Sequence, residues 1–410
     1  MSDAKLTFPH PPARPNQPVD FSNIVVPKAG LLPVPPLDLA PQDAQPFARG
    51  LIRVMDDTGT PVGPWAEYLG EMPADDLRKG LRDMLKMRAI DRRMQNAQRQ
   101  GKTSFYMQST GEEAIGCAFQ RQLQQGDMNF PTYRQQILLV AADYPLEPML
   151  GQLYSNDLDP LEGRQLPIMH SARDYGYFSV SGNLGTQYVQ AVGWAMACAL
   201  RGDGKIAAAW IGDGATASND FHSAMLSASV YQPPVVLNIV NNQWAISTYT
   251  GVAAGKSETY AARALGYGVP ALRVDGNDFL AVSAVSRWAI ERARKGFGPV
   301  AIEWFTYRAA AHSSSDDPSA YRPKDEAQAW PLGDPVDRLK AHLIDRGEWS
   351  EERHVQAGAE LLDEVTQVQK QVEAHGTLVN PQPASPTAIF NGVYADMPEH
   401  LRRQRQEMGY

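Results

Sequence analysis

The sequence predicts an α/β protein: a parallel sheet flanked by helices, preceded by a proline-rich arm and followed by a helical appendix. Three observations predict it. Two apolar runs, Ile206–Ile211 and Val235–Val240, each end in polar residues, and between them Phe221, Ala224, Met225 and Ala228 recur at helical spacing until Pro233-Pro234 stops the segment. Strand, helix, strand is one βαβ unit, and such units make parallel sheets. Prolines crowd the first 73 residues, at positions including Pro9, Pro11, Pro12, Pro15, Pro18, Pro27, Pro33, Pro35, Pro36, Pro41 and Pro46. Long charged segments with apolar residues at helical spacing occupy the end of the chain.

The composition narrows the function. A chain of 410 residues is long enough for one large domain or two ordinary ones. Its net charge of −8 argues against a nucleic-acid or general membrane-surface role. Cys117 and Cys198 are the two cysteines, so there is no disulfide framework and no zinc pattern. The opening MSDAKLTF lacks a basic region followed by an apolar one, and no apolar stretch is long enough for a bilayer. These features predict a soluble cytoplasmic protein.

Three segments follow. Residues 1–73 read as an extended arm, because proline removes backbone donors and blocks helix. Its apolar residues (Phe21, Ile24, Val25, Val26, Leu31, Leu32) predict that it lies along its own subunit or a partner. Residues 74–330 hold the α/β domain. A long helix runs from Asp75 to Gln100, with Leu77, Leu81, Met84, Leu85 and Met94 on one face and Gly101 as its stop. A second helix opens at Gly111-Glu112-Glu113-Ala114 and runs through Leu123. Phe130–Arg134 reads as a loop. His170–Gln187, rich in Gly, Ser and Asn, is another loop, leading into a helix through Leu200 with small residues at Ala191, Gly193, Ala195 and Ala197. A third strand at Leu272–Asp275 precedes a capped helix to about Gly296, and Pro299–Tyr307 is the fourth strand. Arg308–Arg322, with its serines and aspartates, is a loop. Residues 331–410 read helical, from Asp334-Pro335 to about Gly347 and from Ser350 to about Ala374, for packing rather than chemistry.

The chemistry points to the strand ends, where open parallel sheets bind ligands. Gly212 and Gly214 flank Asp213 and let the backbone approach a phosphate, and the helix that follows aims its free N–H groups there. Asp213 and Asn242 each offer a hard oxygen of the kind magnesium takes together with substrate phosphates. They stand 29 positions apart (242 − 213), about one βαβ unit. Arg134 suits bidentate phosphate binding, and Tyr133 adds a donor. His312, placed just after a strand of the same sheet, is the side chain suited to proton transfer near neutral pH.

With these residues assembled, the GDG and NN pair resembles the diphosphate and magnesium signature of thiamine diphosphate enzymes. From about Asp75 to the C-terminus the chain is similar to the α subunit of the decarboxylase component of 2-oxo acid dehydrogenases. The text at Ser104–Ala114 (SFYMQSTGEEA), Leu272–Val282 and Thr306–Arg322 looks like the branched-chain subgroup more than the pyruvate subgroup. The resemblance implies a thiamine diphosphate-binding fold. It also implies that Asp213, Asn242 and the Trp244 carbonyl hold Mg²⁺, and that Tyr133, Arg134, Gly212, Gly214 and Ala215 lie on the diphosphate. Gly182 and Leu184 would lie against the cofactor, Leu184 holding its rings in their bent arrangement. Ser181, Asn183, Thr186 and Gln187 would surround a potassium ion. His312 would lie beside the reactive carbon and serve acyl transfer to lipoamide, and Ser313 matches the position that kinases modify in animal relatives. Three residues depart from the family pattern: Asp213 stands at a glutamate position, Val240 at that of a phosphate-binding arginine, and Asn183 at that of a proline.

By the same resemblance the substrate is a branched-chain 2-oxo acid, and the acceptor is the lipoyl domain on the core of a dihydrolipoyl acyltransferase. The carboxylate that activates the cofactor's pyrimidine sits on a second α/β domain in such enzymes. The 80 residues after Trp330 (410 − 330) read helical and are fewer than the roughly 100–150 such a domain needs. A β subunit in an α2β2 assembly is therefore expected. Two alternatives stay open: a pyruvate- or acetoin-type relative, and a subunit that holds the cofactor without doing chemistry.

Overall fold

The computed structural model describes residues 6–382 and 385–410. The arm runs without regular structure to Leu39, and from Pro41 it adds a short 3-10 turn and two helices, α1 (Gln45–Arg49) and α2 (Pro64–Leu69). Pro46 and Pro64 sit in the first turn of these helices, where a backbone N–H has no intrahelical partner and proline does no harm. Between them Ile52 bridges Val274 in parallel, adding one rung to the edge of the sheet. The arm thus lies against its own subunit.

Helix α3 (Ala74–Arg99) follows, with Leu77, Leu81, Met84 and Met94 fully buried. After it come α4 (Glu113–Gln120), strand β1 (Met128–Phe130), α5 (Ile137–Ala141), α6 (Leu146–Tyr154) and α7 (Thr186–Arg201). The central unit is β2 (Ala207–Gly212), α8 (Asn219–Tyr231) and β3 (Val235–Asn241). A two-stranded hairpin, β4 (Trp244–Ala245) and β5 (Thr248–Tyr249), leads into α9 (Thr250–Ala254) and α10 (Tyr260–Leu265). Then come β6 (Ala271–Asp275), α11 (Phe279–Arg294) and β7 (Val300–Phe305), and finally α12 (Pro335–Asp345), α13 (Glu351–Glu373) and α14 (Glu399–Glu407).

The sheet has five parallel strands in the order β1-β2-β3-β7-β6. Helices cover both faces, as a parallel sheet requires. On one face α3, α4, α5 and α11 bury Met84, Phe119, Leu139 and Val285 with Trp210 and Trp304 of the strands. On the other, α7, α8 and α10 bury Tyr188, Ala191, Phe221, Met225 and Ala264. The small residues Ala191 and Ala195 of α7 pack on the sheet, whereas Gly193 and Leu200 face outward. Each strand is buried on both faces, which is why the sequence shows unbroken apolar runs rather than alternation.

The structure corrects two local expectations. Phe130 belongs to β1, a three-residue strand too short to show a period, paired with Ala207–Ala209. The helix after Asp213 does not start there: a 3-10 turn, Gly214–Ala217, intervenes, and α8 begins at Asn219 under a Ser218 cap. The register then sets the site, because Gly212 is level with Val240 and Asn241 with Phe305. Three neighbouring strands therefore release their loops at one height.

A candidate active site at the strand tips

These loops, with the loop after β1 and the start of α4, enclose a cavity of about 400 Å³. Tyr133, Arg134, Leu184, Gly212, Asp213, Gly214, Ala215, Asn242, Trp244 and His312 all line it, brought together from five separate stretches of sequence. Val240, Ile246, Val252 and Ala253 give it an apolar wall.

Asp213 is almost wholly buried. Its Oδ1 accepts from the Gly214 amide at 2.7 Å, while Oδ2 is buried without a partner among the described residues. Burial pushes its pKa up to about 6 against the pull of that amide. A buried carboxylate oxygen with no donor is costly unless a cation completes it. Gly214 is required sterically, because a Cβ there would lie 2.2 Å from the Ala245 Cβ of the hairpin. At Gly212 a Cβ would meet nothing within 4 Å, so a side chain there would project into open space.

Asn242 donates its Nδ2 to Glu112 Oε1 at 2.6 Å, and its Oδ1 accepts from the Trp244 amide at 3.3 Å. The Trp244 carbonyl accepts from Arg308 Nη1 at 2.9 Å and keeps a second lone pair. Gln243 and Ile246, on either side of the β4 turn, both adopt positive φ, +74° and +54°. Such strain in non-glycine residues gathers where a backbone group must be aimed.

Arg134 is buried and clasps the opposite loop: Nη1 donates to the Gln108 carbonyl at 2.6 Å and Nη2 to the His312 carbonyl at 3.0 Å. His312 Nδ1 faces two guanidinium groups, Arg134 Nη2 at 3.3 Å and Arg308 Nη1 at 3.4 Å. Burial, with these two cations, pushes its pKa down to about 3. The ring is therefore neutral near pH 7. Nδ1 can only accept from the guanidiniums, so Nε2 carries the proton. The Tyr133 ring meets His312 edge-on at 5.9 Å.

The remaining predicted residues, Ser181, Gly182 and Asn183 on a neighbouring loop and Thr186 and Gln187 at the start of α7, lie outside the cavity wall, Leu184 excepted. The Ser181 hydroxyl accepts from the Asn183 amide at 3.2 Å, and Thr186 Oγ1 donates to Asp220 at 3.2 Å. Gln187 Oε1 accepts from the Gly185 amide at 3.0 Å, while its Nε2 donates to the Trp210 carbonyl. Gly182 lies near Met169. Sequence reasoning missed Glu112 and Arg308. Glu112 lines the cavity, with Oε2 buried and unpartnered among the described residues. In sequence it is an ordinary acid at a helix start. Arg308 is fully buried and holds the carbonyls of Trp244 and Ile246.

The arrangement offers unmatched carboxylate oxygens suited to a hard divalent cation, a buried arginine suited to phosphate and an apolar wall suited to a ring. A histidine with one fixed proton stands at the edge.

Comparisons with known proteins bear on what such a site serves. The chain matches the Dehydrogenase E1 component family over residues 81–380. Residues 3–42 match a family described as 2-oxoisovalerate dehydrogenase E1 alpha subunit N terminal. The 2-oxoisovalerate dehydrogenase subunit alpha of Pseudomonas aeruginosa is 55% identical over 412 residues, covering 100% of both chains. The mitochondrial 2-oxoisovalerate dehydrogenase subunit alpha of Mus musculus is 35% identical, over 87% of this chain and 79% of its own. A pyruvate dehydrogenase E1 component subunit alpha from Acholeplasma laidlawii is also 35% identical, over 82% of this chain and 94% of its own.

Proposed function

The chain belongs to the Dehydrogenase E1 component family, and from that premise we propose that it is the alpha subunit of a branched-chain 2-oxo acid dehydrogenase. The reaction is oxidative decarboxylation of a branched-chain 2-oxo acid, with reductive acylation of lipoamide. The observation that carries this reading is the meeting of Asp213 and Asn242 at adjacent strand tips, with Asp213 Oδ2 buried and without a partner among the described residues. The branched-chain assignment rests on the full-length similarity to the Pseudomonas subunit and on the match of the arm, residues 3–42.

Thiamine diphosphate with Mg²⁺ fits the residues present. Asp213, Asn242 and the Trp244 carbonyl would hold the metal; Tyr133, Arg134 and the Gly212–Ala215 turn would hold the diphosphate. When bound, the cofactor supplies the electron sink for decarboxylation. The chain's own work is positioning and proton control. Arg134 and Arg308 fix the His312 ring so that Nε2–H can give its proton to the sulfur that leaves when an incoming lipoyl disulfide is opened. The apolar wall of Leu184, Ile246 and Val252 keeps water from the bound rings. A potassium ion at Ser181, Asn183, Thr186 and Gln187 would share Gln187 Oε1 with the Gly185 amide.

The partners in this reading are a β subunit, in an α2β2 assembly, and the lipoyl domain and core of a dihydrolipoyl acyltransferase. Exposed apolar residues on the outer sides of α7 and α8 (Leu200, Leu226, Val230, Tyr231) support a protein partner. We place the protein in the cytoplasm: its two cysteines are free and buried, as in a reducing compartment. No helix among the described residues is long and apolar enough to cross a membrane.

Co-expression with a β subunit tests the proposal, using thiamine diphosphate, Mg²⁺, lipoyl domain and a panel of 2-oxo acids. The assembled protein should turn over 2-oxoisovalerate in preference to pyruvate, and the single chain should be inactive. Preference for pyruvate would favour the second reading, to which the Acholeplasma relative lends weight. Turnover by the single chain would overturn the need for a partner. In the assembly, His312→Ala should slow lipoamide acylation roughly 100-fold or more. An unchanged rate would mark a passive cofactor-holding subunit.

A further inference from the structure

Glu112 contacts both kinds of group that the proposed cofactor site needs. Its Oε1 accepts from Asn242 Nδ2 at 2.6 Å, and the same oxygen lies 3.6 Å from Arg134 Nε. The side chain is buried at the N-terminal end of α4, where nothing in the helix requires it: it forms no side-chain cap. Its second oxygen, Oε2, is buried without a partner among the described residues, as is Asp213 Oδ2 on the other side of the same cavity. A carboxylate left this way in a protein interior is costly unless it has a use.

An asparagine amide has two faces, oxygen and NH2, and it binds a cation only through the oxygen. Glu112 Oε1, with the carboxyl ionised or its proton on Oε2, can only accept. With Glu112 ahead of it, Asn242 must turn Nδ2 to Glu112, and what it offers elsewhere is Oδ1. The Trp244 amide, donating to that Oδ1, enforces the same orientation. We propose that Glu112 is a positioning residue for the metal site: it holds the Asn242 amide so that Oδ1 serves as the ligand, and it ties that ligand to the phosphate-binding Arg134. This rests on the thiamine diphosphate reading of the cavity.

The test measures Mg²⁺ affinity of the assembled α2β2 protein at saturating thiamine diphosphate, followed by tryptophan fluorescence, with thermal melts of the cofactor-free protein beside it. If the wild-type assembly binds no magnesium with thiamine diphosphate, the cofactor reading itself fails. If it binds, Glu112→Ala should weaken Mg²⁺ about 10–100-fold, the usual effect of losing a partner behind a metal ligand. In an Asn242→Ala background the same change should weaken it no further, because its effect passes through Asn242. Asn242→Asp should also bind poorly, since it sets two carboxylates face to face. Adding Glu112→Gln should rescue it by restoring a donor–acceptor pair, a result that a merely structural role would not give and that does not depend on the alanine variant folding. An equal loss from Glu112→Ala with and without Asn242, or no rescue of Asn242→Asp, would overturn the inference while leaving the cofactor reading intact.

Discussion

His170 shows how burial alone fixes a protonation state. It is almost wholly enclosed, and its side-chain neighbour is neutral, Gln136 Oε1 at 3.4 Å. Burial pushes its pKa down to about 3, from an ordinary 6.5. Between those values the unfolded chain binds a proton that the folded chain refuses, so this group's stabilising contribution is complete above pH 6.5 and is lost as pH falls. From pH 7 to pH 5 the loss is about 2 kcal/mol. Buried carboxylates act with the opposite sign in the same window. Asp91, inside α3, is raised to about 7 by burial, so the folded chain holds a proton there that the unfolded one releases, and stability falls as pH rises. The total pH profile therefore mixes both, and a difference between variants isolates one. The stability advantage of wild type over His170→Gln, from urea unfolding, should shrink by about 2 kcal/mol between pH 7 and pH 5. A constant difference would mean that the folded protein admits the proton. At this scale the sequence was legible where residue type and motif agree: Asp213, Asn242, Arg134 and His312 all line one cavity. It was opaque at Glu112 and Arg308, whose roles depend on contacts 130 and 64 residues away in sequence.

Elements reach the site through their ends, and the join between α4 and β7 is backbone against backbone. Gly111, just before α4, has φ +101°, and a Cβ there would lie 2.2 Å from the Tyr307 carbonyl oxygen and 3.0 Å from the Ala309 amide. Both are backbone and cannot turn aside. The loop is laced to the strand exit by two bonds, from the Ala309 amide to the Thr110 carbonyl and from Thr306 Oγ1 to the Gly111 carbonyl, each 3.0 Å. Gly111→Ala should therefore destabilise by about 3 kcal/mol or more, from backbone strain plus the clash, and should shift Glu112 with it. Gly163→Ala is the control. Its φ is also positive, at +73°, but nothing lies within 4 Å, so it should cost only about 1 kcal/mol. Similar melting temperatures for the two variants would show that the α4 loop can move off β7. Long elements were readable because their patterns average over many residues: α3, α13 and the four strands β2, β3, β6 and β7 all lie within a few residues of the expected bounds. The three-residue β1, the two-residue hairpin strands and the short helices α5 and α9 contain too few residues to show a period, and only tertiary packing defines them.

For the whole molecule, the open question is whether the proline-rich arm is cargo or core. The Trp288 indole on α11 donates to the Pro35 carbonyl at 2.8 Å, and Arg292 donates to the carbonyls of Leu37 and Leu39 at 2.5 and 3.0 Å. Both side chains are buried. Arg53, also buried, donates to the Pro27 carbonyl at 2.7 Å, and Phe21 packs edge-on against Tyr307 and Trp330. Proline suits this work because it takes away the segment's own donors and leaves carbonyls free to accept from the domain. The composition revealed the arm; its acceptor role required knowing that Trp288 and Arg292 Nη1 on α11 point at it. Deleting residues 1–40 would leave the Trp288 indole and Arg292 Nη1 buried without these acceptors, at about 1–3 kcal/mol each, and would expose the apolar surface that Phe21 covers. Deleting residues 1–19 removes none of these contacts. The shorter deletion should keep the wild-type urea midpoint within error. The longer one should lower it by an amount matching several kcal/mol, or leave the chain insoluble. Trp288→Phe in the full-length protein separates a lost hydrogen bond from lost coverage: it removes the donor to Pro35 while the arm stays, so its destabilisation should be a fraction of that from the 1–40 deletion. Equal midpoints for the two deletions would mean that the domain stands without its arm, and the carbonyls of Pro35, Leu37 and Leu39 would then be accepting bonds that water can supply as well.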